Sequence, residues 1–406
     1  KIQELRTNKG GERKKKKIQE LRTNKGGERK KKKIQELRTS ITWQPNITDI
    51  AACLLVKDEN RRLPEWLAYH YTVLPLRHLV VAVDPGSSMS PLSILQRWNN
   101  TSEMNISVWS DRDYTFFPLD SKLPLDLSET ELGIRIHRTR QNHFISKCLS
   151  HHRDNGRQWV VLVDADEYIL FNRHVKNENR ALRHHACEED FKVMETEQKL
   201  PMPPPYKQGT SDRNKLPAIG EKTIAQYLNE EQYNLPWYTH SCVLMPRVLV
   251  SDGVDEKQET INKDMPIGFN ATHYETMKYR RHGNVNLRAG NKWGKVIIDV
   301  QRVPKKILRH PIGNIHRPLK TRCQKASPCF KKSLLRVNHY LPSLSEYMNK
   351  SDGRRSLDAY NEKIAHFNGK YARSDDNVRP WLQKFVDTVG KEGAHELITH
   401  LQAHKT

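Results

Sequence analysis

Three carboxylates follow a short apolar run in the middle of the chain. Residues 159–163 are apolar and precede Asp164, Asp166 and Glu167. Such a run is typical of a strand buried on both faces in an α/β protein, and the end of that strand is where these sheets place ligands. Two aspartates at positions i and i+2 repel each other, and a divalent cation shared with substrate phosphates would offset that repulsion. The same residues could instead form surface salt bridges or cap a helix.

The residues before this run predict the elements that position it. Apolar residues 50–56 and 78–83 are predicted strands, and residues 64–71, with proline in the first turn, are a predicted helix. A strand, a helix and a strand with short connections form a βαβ unit and a parallel strand pair. Asp84 follows the second strand, so it is a candidate ligand-binding residue at the same edge of the sheet. Asp84 could instead form the turn before the following Pro-Gly.

The remaining patterns divide the chain into regions. An amphipathic helix is predicted from roughly residue 139 to 153. A charged and proline-rich stretch follows it and is predicted to be an insertion or a mobile loop. Short strand-like runs come next, and the end of the chain is predicted to be mainly helical. We therefore expect five regions, at residues 1–40, 48–172, 173–235, 236–350 and 351–406.

The basic character of the chain is concentrated at one end. The net charge is +22, and residues 1–16 and 17–32 are identical copies, each with seven Lys or Arg residues and two Glu residues. Half of the net charge therefore lies in the first 39 residues. We expect residues 1–40 to be a disordered basic tandem repeat, because glycine and lysine interrupt any helix pattern. The rest of the chain is still basic, which suits a substrate with phosphates, and no nucleic-acid partner is expected.

Sequons and cysteines bear on the cellular compartment. Six Asn-x-Ser/Thr sequons are more than we expect of a cytosolic enzyme. No transmembrane or signal pattern is visible, and we expect any membrane anchor in a segment that precedes this chain. Cys323 and Cys329 are predicted to form a local disulfide, and the other four cysteines could be buried thiols. The sequons begin at Asn46, Asn99, Asn100, Asn105, Asn270 and Asn349.

Six segments occur in a recognisable order along the chain. They are VKDENRRLPEWLAYH, VDPGSS after a strand, RQNHFISKCL, WVVLVDADEYI, GKVIIDVQRV and NHYLPSLSEYMNK. Together they resemble the nucleotide-sugar glycosyltransferases with a GT-A fold, and most closely glycosyltransferase family 92 and its family 2-like relatives. The resemblance covers about residues 48–350, apart from 173–235. It implies a Rossmann-like, mainly parallel twisted sheet flanked by helices, with a helical C-terminal extension.

The resemblance also implies a nucleotide-sugar donor, with a UDP-sugar expected, and the residues that bind it. Asp164 and Asp166 match the family's Asp-x-Asp motif. Asp166 would hold Mn²⁺ or Mg²⁺ directly, and Asp164 would contact the ribose, metal-bound water or the metal. A late histidine often joins such a site, and His316 is the first candidate, with His339 as the alternative. Donor-binding residues would be Lys57, Asp58, Glu59, Asp84, Gln141 and Asp164, and Lys295 and Arg302 could neutralise phosphate.

Direct attack by an acceptor hydroxyl, with inversion of configuration, requires a carboxylate that takes its proton. Asp255, Glu256, Asp264 and Glu275 lie in the appropriate part of the chain, although each could be an ordinary surface carboxylate. The resemblance implies transfer of a hexose, with galactose expected, to a glycan or glycoprotein. It also implies a location in the Golgi or secretory-pathway lumen.

Two other functions are compatible with these features. Asp-x-Asp and diphosphates also suit a metal-dependent nucleotidyltransferase or phosphotransferase. A non-enzymatic binding protein could act through the lysine-rich residues 1–40. The sequence has no Walker-type loop, zinc-ligand cysteine array or serine nucleophile elbow, which excludes those classes.

Overall fold

A computed structural model describes residues 50–116, 127–173, 215–231, 241–251, 265–282, 294–316, 318–319, 323, 330, 333–349, 356–365 and 373–398. The described residues belong to one unit that spans residues 47–406. The basic repeat, most of the segment 173–235, and the candidate bases Asp255 and Asp264 lie outside the described residues. The expected region boundaries within the unit stay predictions.

A six-stranded sheet forms the centre of the unit. Strands β1 (Ile50–Val56), β2 (Leu76–Val83), β3 (Asn105–Trp109) and β4 (Trp159–Leu162) are parallel. Strands β6 (Cys242–Met245) and β9 (Lys295–Asp299) complete the sheet in antiparallel pairings, and the order is β3-β2-β1-β4-β9-β6. The four parallel strands and the helices beside them confirm the predicted α/β class.

A second, five-stranded sheet begins where the first one ends. Strand β5 (Glu167–Phe171) follows β4 after only four residues, so the Asp-Ala-Asp turn at residues 164–166 joins the two sheets. The order of the second sheet is β11-β8-β7-β10-β5. Its other strands are β7 (Arg247–Ser251), β8 (Arg281–His282), β10 (Leu335–Tyr340) and β11 (Arg373–Ser374).

The first half of the chain has three described helices, and the first and third of them cover the helices predicted at residues 64–71 and 139–153. They are α1 (Leu63–Val73), α2 (Leu92–Thr101) and α3 (Glu129–Asp154). Helix α3 begins ten residues before the predicted start because a capping box stabilises its first turn. The Ser128 hydroxyl accepts the Glu131 N–H, and the Glu131 carboxylate accepts the Ser128 N–H. The remaining helices are α4 (Ile224–Glu231), α5 (Glu275–Lys278), α6 (Lys305–Leu308), α7 (Leu344–Asn349), α8 (Leu357–Ala365) and α9 (Trp381–Ile398).

The hydrophobic core lies on both faces of the six-stranded sheet. On one face α1 and α2 pack with α9, through the buried side chains of Trp66, Trp98, Trp381 and Phe385. On the other face Phe144 of α3 packs against the sheet. Burying a large side chain of this kind contributes roughly 1.5–3 kcal/mol, so the helical C-terminus is part of the main core. Within the described residues, no helix is both long and apolar enough to cross a membrane.

Two disulfides connect distant parts of the unit. Cys53 of β1 is bonded to Cys148 of α3, and Cys242 of β6 is bonded to Cys323. The predicted local pair of Cys323 and Cys329 is therefore wrong, and so is the interpretation of Cys53, Cys148 and Cys242 as buried thiols. The backbone of Cys323 lies against Cys242 in an isolated parallel bridge, so strand β6 supplies the partner of Cys323.

One buried carboxyl makes the stability of the fold depend on pH. Glu65 in the first turn of α1 accepts the N–H groups of Glu275 and Thr276 and the Thr276 hydroxyl. Burial, with the nearby charge of Glu275, raises the pKa of Glu65 from 4.5 to about 7. Because the folded pKa exceeds the unfolded one, the folded protein holds an extra proton between these values. The free energy of unfolding then falls as the pH rises through this window, by up to about 3 kcal/mol.

We expect the Glu65→Gln variant to lose most of this pH dependence. Urea unfolding of the wild type and the variant at about pH 5 and about pH 8 measures the difference. The wild type should lose stability between the two conditions, and the variant should lose about 2–3 kcal/mol less. Equal losses in the two proteins would show that Glu65 is not the titrating group.

Candidate functional site

The Asp-Ala-Asp turn between the two sheets is held by hydrogen bonds that three elements donate to its backbone carbonyls. The Trp66 indole N–H of α1 donates to the Asp164 carbonyl at 3.0 Å, and the Glu167 N–H donates to the same carbonyl at 3.0 Å. The Tyr340 N–H of β10 donates to the Asp166 carbonyl at 2.9 Å. These bonds fix the turn, so the two aspartate side chains leave it in set directions.

Three carboxylates meet at this turn. Asp164, Asp166 and Glu167 each offer an oxygen atom, and these atoms lie within 4.8 Å of one another. The Asp164 side chain is 48% exposed and that of Asp166 is 18% exposed, whereas Glu167 is fully buried. A buried carboxylate beside two others needs compensating charge. The interpretation of all three as surface residues is therefore wrong for Glu167.

Lys295 and Arg247 supply much of that charge. The Lys295 Nζ lies 2.6 Å from Asp164 Oδ2 and 3.0 Å from Glu167 Oε2, and Arg247 Nη1 lies 3.2 Å from Glu167 Oε1. Lys295 is the first residue of β9, which pairs with β4, so the sheet itself brings the ammonium to the acidic turn. Sequence reasoning placed Lys295 near a phosphate, and the structure shows that it also contacts the carboxylates directly.

The same contacts set the protonation states. Burial opposes the charged form of Lys295, but Asp164 and Glu167 outweigh it and raise the pKa of the ammonium. Partial burial also opposes ionisation of Asp164, but the charge of Lys295 lowers the pKa of that carboxyl, against the repulsion of Asp166. Both groups are therefore charged at neutral pH.

Both histidines considered from the sequence lie at this site. His339 Nε2 is 3.3 Å from Asp166 Oδ2. The His316 Nδ1 is 2.9 Å from the Gly294 carbonyl, which can only accept, so Nδ1 carries the hydrogen and the lone pair is on Nε2. Burial and the nearby charge of Lys295 lower the pKa of His316, which favours the neutral imidazole that binds metals. A side chain at Gly294 would clash with the Met245 carbonyl, so glycine allows the backbone at residue 294 to lie against Met245.

The carboxylate oxygens and imidazole nitrogens at this site are suitable ligands for a divalent cation. Carboxylate oxygens suit Mn²⁺ and Mg²⁺, and an imidazole nitrogen suits Mn²⁺ in addition. Asp166, one oxygen of Asp164, and either His316 or His339 would hold the ion. The Lys295 contact engages the other oxygen of Asp164.

The predicted donor-binding residues lie at the neighbouring strand ends, and two of them stabilise loops. Asp58 follows β1 with a left-handed φ of 54°, which aspartate and asparagine tolerate better than most residues. Its carboxylate accepts the N–H and hydroxyl of Ser88 at 2.6 and 2.8 Å. Asp84 follows β2 and lies 3.2 Å from Arg140 Nη1. Burial opposes ionisation of Asp84, but bonds from His137 and Gly86 and the charge of Arg140 lower its pKa to about 2.

Other donor-binding candidates extend the same region. Gln141 of α3 lines a small cavity of about 10 Å³ together with Asp164 and Lys295. Lys57 and Asp84 both lie against Gly86, because a Cβ atom there would be 3.6 Å from the Lys57 Nζ and 3.3 Å from Asp84 Oδ1. The structure therefore brings Gln141 to Asp164 and Lys57 to Asp84, at adjacent ends of parallel strands.

An ionic network beside the turn was missed from the sequence. Arg62 is the buried residue immediately before α1. Its guanidinium lies 2.8 Å from Glu275, 3.3 Å from Glu59 and 3.5 Å from Glu346. The charge of Asp166 also acts on this guanidinium. One signal could have indicated it. Cations next to a helix N-terminus are unfavourable, so the pair Arg61-Arg62 before a predicted helix violates a local rule.

Glu275 was a candidate catalytic base. It is buried, so its interpretation as a surface carboxylate is wrong. Arg61 Nη2 lies 2.5 Å from one of its oxygens, and Arg62 Nε lies 2.8 Å from the other. Glu275 thus anchors both guanidinium groups beside the turn. Its role as a base stays a prediction.

No protein-family model matches the chain, and no curated protein matches its sequence. Several solved glycosyltransferase structures are similar. The galactosyltransferase LgtC with donor and acceptor sugar analogs is 11% identical, with a TM-score of 0.25 over 84% of this chain and 95% of that one. The bifunctional WbbM glycosyltransferase is 9% identical, with a TM-score of 0.29 over 86% and 52%. Mouse xyloside xylosyltransferase 1 is 10% identical, with a TM-score of 0.25 over 70% and 81%. At these values the likeness assigns neither a family nor an activity to this chain.

The charge balance at the turn predicts a large effect of one lysine. Lys295→Met removes the ammonium from a site that is 3% exposed and leaves Asp164 and Glu167 with less compensation. We expect the free energy of unfolding, measured with urea, to fall by about 3 kcal/mol.

The matched control is Lys305→Met. Lys305 also lies 2.6 Å from an aspartate, Asp154, but both side chains are more than half exposed. Its loss should cost no more than about 1 kcal/mol. Equal effects of the two substitutions would contradict the charge balance described for the turn.

Proposed function

We propose that this protein is a metal-dependent glycosyltransferase that moves a sugar from a nucleotide-sugar, expected to be a UDP-sugar, to a hydroxyl of a glycan or glycoprotein with inversion. One observation carries the proposal. Asp164, Asp166 and two histidines converge at the carboxyl end of a parallel strand, next to candidate nucleotide-binding residues at the ends of β1 and β2. The order of the six sequence segments supports the same conclusion.

The charges at the site support diphosphate binding. A bound Mn²⁺ or Mg²⁺ would supply Lewis-acid stabilisation of the departing nucleoside diphosphate. Lys295 already contacts Asp164 and Glu167. Because an ammonium has three N–H donors, Lys295 could also donate a hydrogen bond to a phosphate oxygen. Arg62 places a further buried positive charge beside Asp166. The site therefore combines acidic groups that hold a cation with basic groups that face its anionic ligand.

The proposal for the base and the transferred sugar rests on the sequence alone. An inverting transfer breaks the bond between the anomeric carbon and the diphosphate and passes the acceptor proton to a carboxylate. Asp255, Glu256, Asp264 and Glu275 stay candidates for that carboxylate. Galactose as the transferred sugar stays an expectation from the resemblance to family 92.

The disulfides support the proposed compartment. Cys53–Cys148 and Cys242–Cys323 connect separate elements of the fold, and stable disulfides are typical of proteins from oxidising compartments. We therefore propose the Golgi or the secretory-pathway lumen as the location. A membrane anchor that precedes this chain belongs to the same proposal.

Release of UDP from UDP-sugars tests the proposal. The wild type should release UDP in the presence of Mn²⁺ and stop when the metal is chelated. Asp166→Asn should lower the rate by about 100-fold or more, because the loss of a metal ligand removes several kcal/mol of transition-state stabilisation. Asp154→Asn, at an exposed aspartate on the end of α3, is the matched control and should leave the rate unchanged. Equal rates for wild type and Asp166→Asn would remove the proposed role of the metal.

Product analysis separates this function from its alternatives. A glycosyltransferase releases intact UDP and modifies an acceptor with the sugar. A nucleotidyltransferase acting on the same UDP-sugar would instead attach UMP to the acceptor and release the sugar phosphate. A binding protein that acts through residues 1–40 would show no turnover, and its binding would disappear when those residues are deleted.

The metal site can be tested without turnover. We expect His316→Ala to weaken Mn²⁺ binding, measured by titration calorimetry, by about tenfold or more, because it removes a neutral nitrogen ligand. His339→Ala serves as the comparison. A larger effect of His339→Ala would assign the ligand to the histidine that contacts Asp166.

A further inference from the structure

Strand β3 forms one edge of the six-stranded sheet. Among the described residues its neighbour strand is β2, on one side only. The open side of an edge strand presents backbone N–H and C=O groups that can pair with another chain. Asn99 at the end of α2 covers one of these groups, because its Oδ1 accepts the Ile106 N–H at 3.0 Å. Val108, further along the strand, is 38% exposed. The described residues therefore cover this edge only in part.

A sequon begins at the first residue of the same strand. Asn105, Ile106 and Ser107 form an Asn-x-Ser sequence, and the Asn105 side chain is exposed. Two overlapping sequons, at Asn99 and Asn100, lie at the exposed end of α2, next to this strand. Three of the six sequons are thus gathered at one edge of the sheet.

We propose that Asn105 carries an N-linked glycan that covers the open edge of β3. In this modification a bond forms between the Asn105 Nδ2 and the anomeric carbon of an oligosaccharide. The bond between that carbon and the diphosphate of a lipid-linked donor breaks, and the amide nitrogen loses one proton. The asparagine at position 270 is a poorer attachment point, because it is half-buried and its Oδ1 accepts the N–H and hydroxyl of Thr272.

The position of Asn105 is compatible with the candidate functional site. β3 runs parallel to β1, β2 and β4, so its first residue lies at the amino end of the strands. The candidate site lies at their carboxyl ends, which is roughly 15 Å away along a five-residue strand. A glycan on Asn105 therefore covers the edge without entering the site. The two disulfides connect the modification to the same oxidising compartment.

Two substitutions at Ser107 give a matched test. Ser107→Ala destroys the sequon and Ser107→Thr keeps it, while both leave Asn105 unchanged. The full chain is secreted from human cells behind a cleavable signal peptide, and peptide N-glycosidase F treatment in heavy-oxygen water marks each glycosylated asparagine as a labelled aspartate. We expect the label on residue 105 in most molecules of the wild type and of Ser107→Thr, and its loss in Ser107→Ala. An unlabelled residue 105 in the secreted wild type would overturn the proposal.

Two further readouts test the native state and the role of the glycan. The endogenous protein should lose mass on treatment with the same glycosidase, and an unchanged mass would overturn the proposal for the natural protein. Light scattering at equal concentration should show larger particles for Ser107→Ala than for Ser107→Thr, because the edge is uncovered. Equal particle sizes would overturn the protective role of the glycan.

Discussion

The contact between Lys295 and the carboxylates of Asp164 and Glu167 is the interaction on which the rest of the site depends. Three acidic groups lie within 4.8 Å of one another at the junction of the two sheets. Without a buried cation such a cluster would be strongly destabilising. Because β9 pairs with β4, the sheet places the backbone of Lys295 beside the acidic turn. Formation of the sheet therefore also sets the charge balance of the site.

This arrangement gives the site both signs of charge. Asp166, which is less exposed than Asp164, contacts His339 and lies within the field of Arg62. A metal ion and a diphosphate carry opposite charges, and a site that holds both needs acidic and basic groups side by side. Glu167 has a different task, since it accepts the Asp164 N–H at 2.9 Å and pairs with Lys295 and Arg247. Through these contacts it holds the backbone of Asp164 in place.

The local elements could be predicted from the sequence, and the long-range pairings could not. The first βαβ unit and the acidic strand end are marked by apolar runs of the correct length. The predicted start of α3 is ten residues late because only Leu132, Ile134 and Ile136 are apolar in its first ten residues, and the Ser128 capping box is a weaker signal than periodicity. The partner of Cys323 is 81 residues away in the sequence, and the partner of Lys295 is 131 residues away. Nothing in the residues near either one indicates the other.

The packing of the C-terminal helix has a consequence for synthesis on the ribosome. Trp98 stacks on Phe385 and donates its indole N–H to the Leu397 carbonyl, and Trp381 donates to the Thr276 hydroxyl, which in turn bonds Glu65. The first helices emerge long before these partners do. Until α9 has been synthesised, a nascent chain exposes this aromatic surface, which makes it a natural client for chaperones.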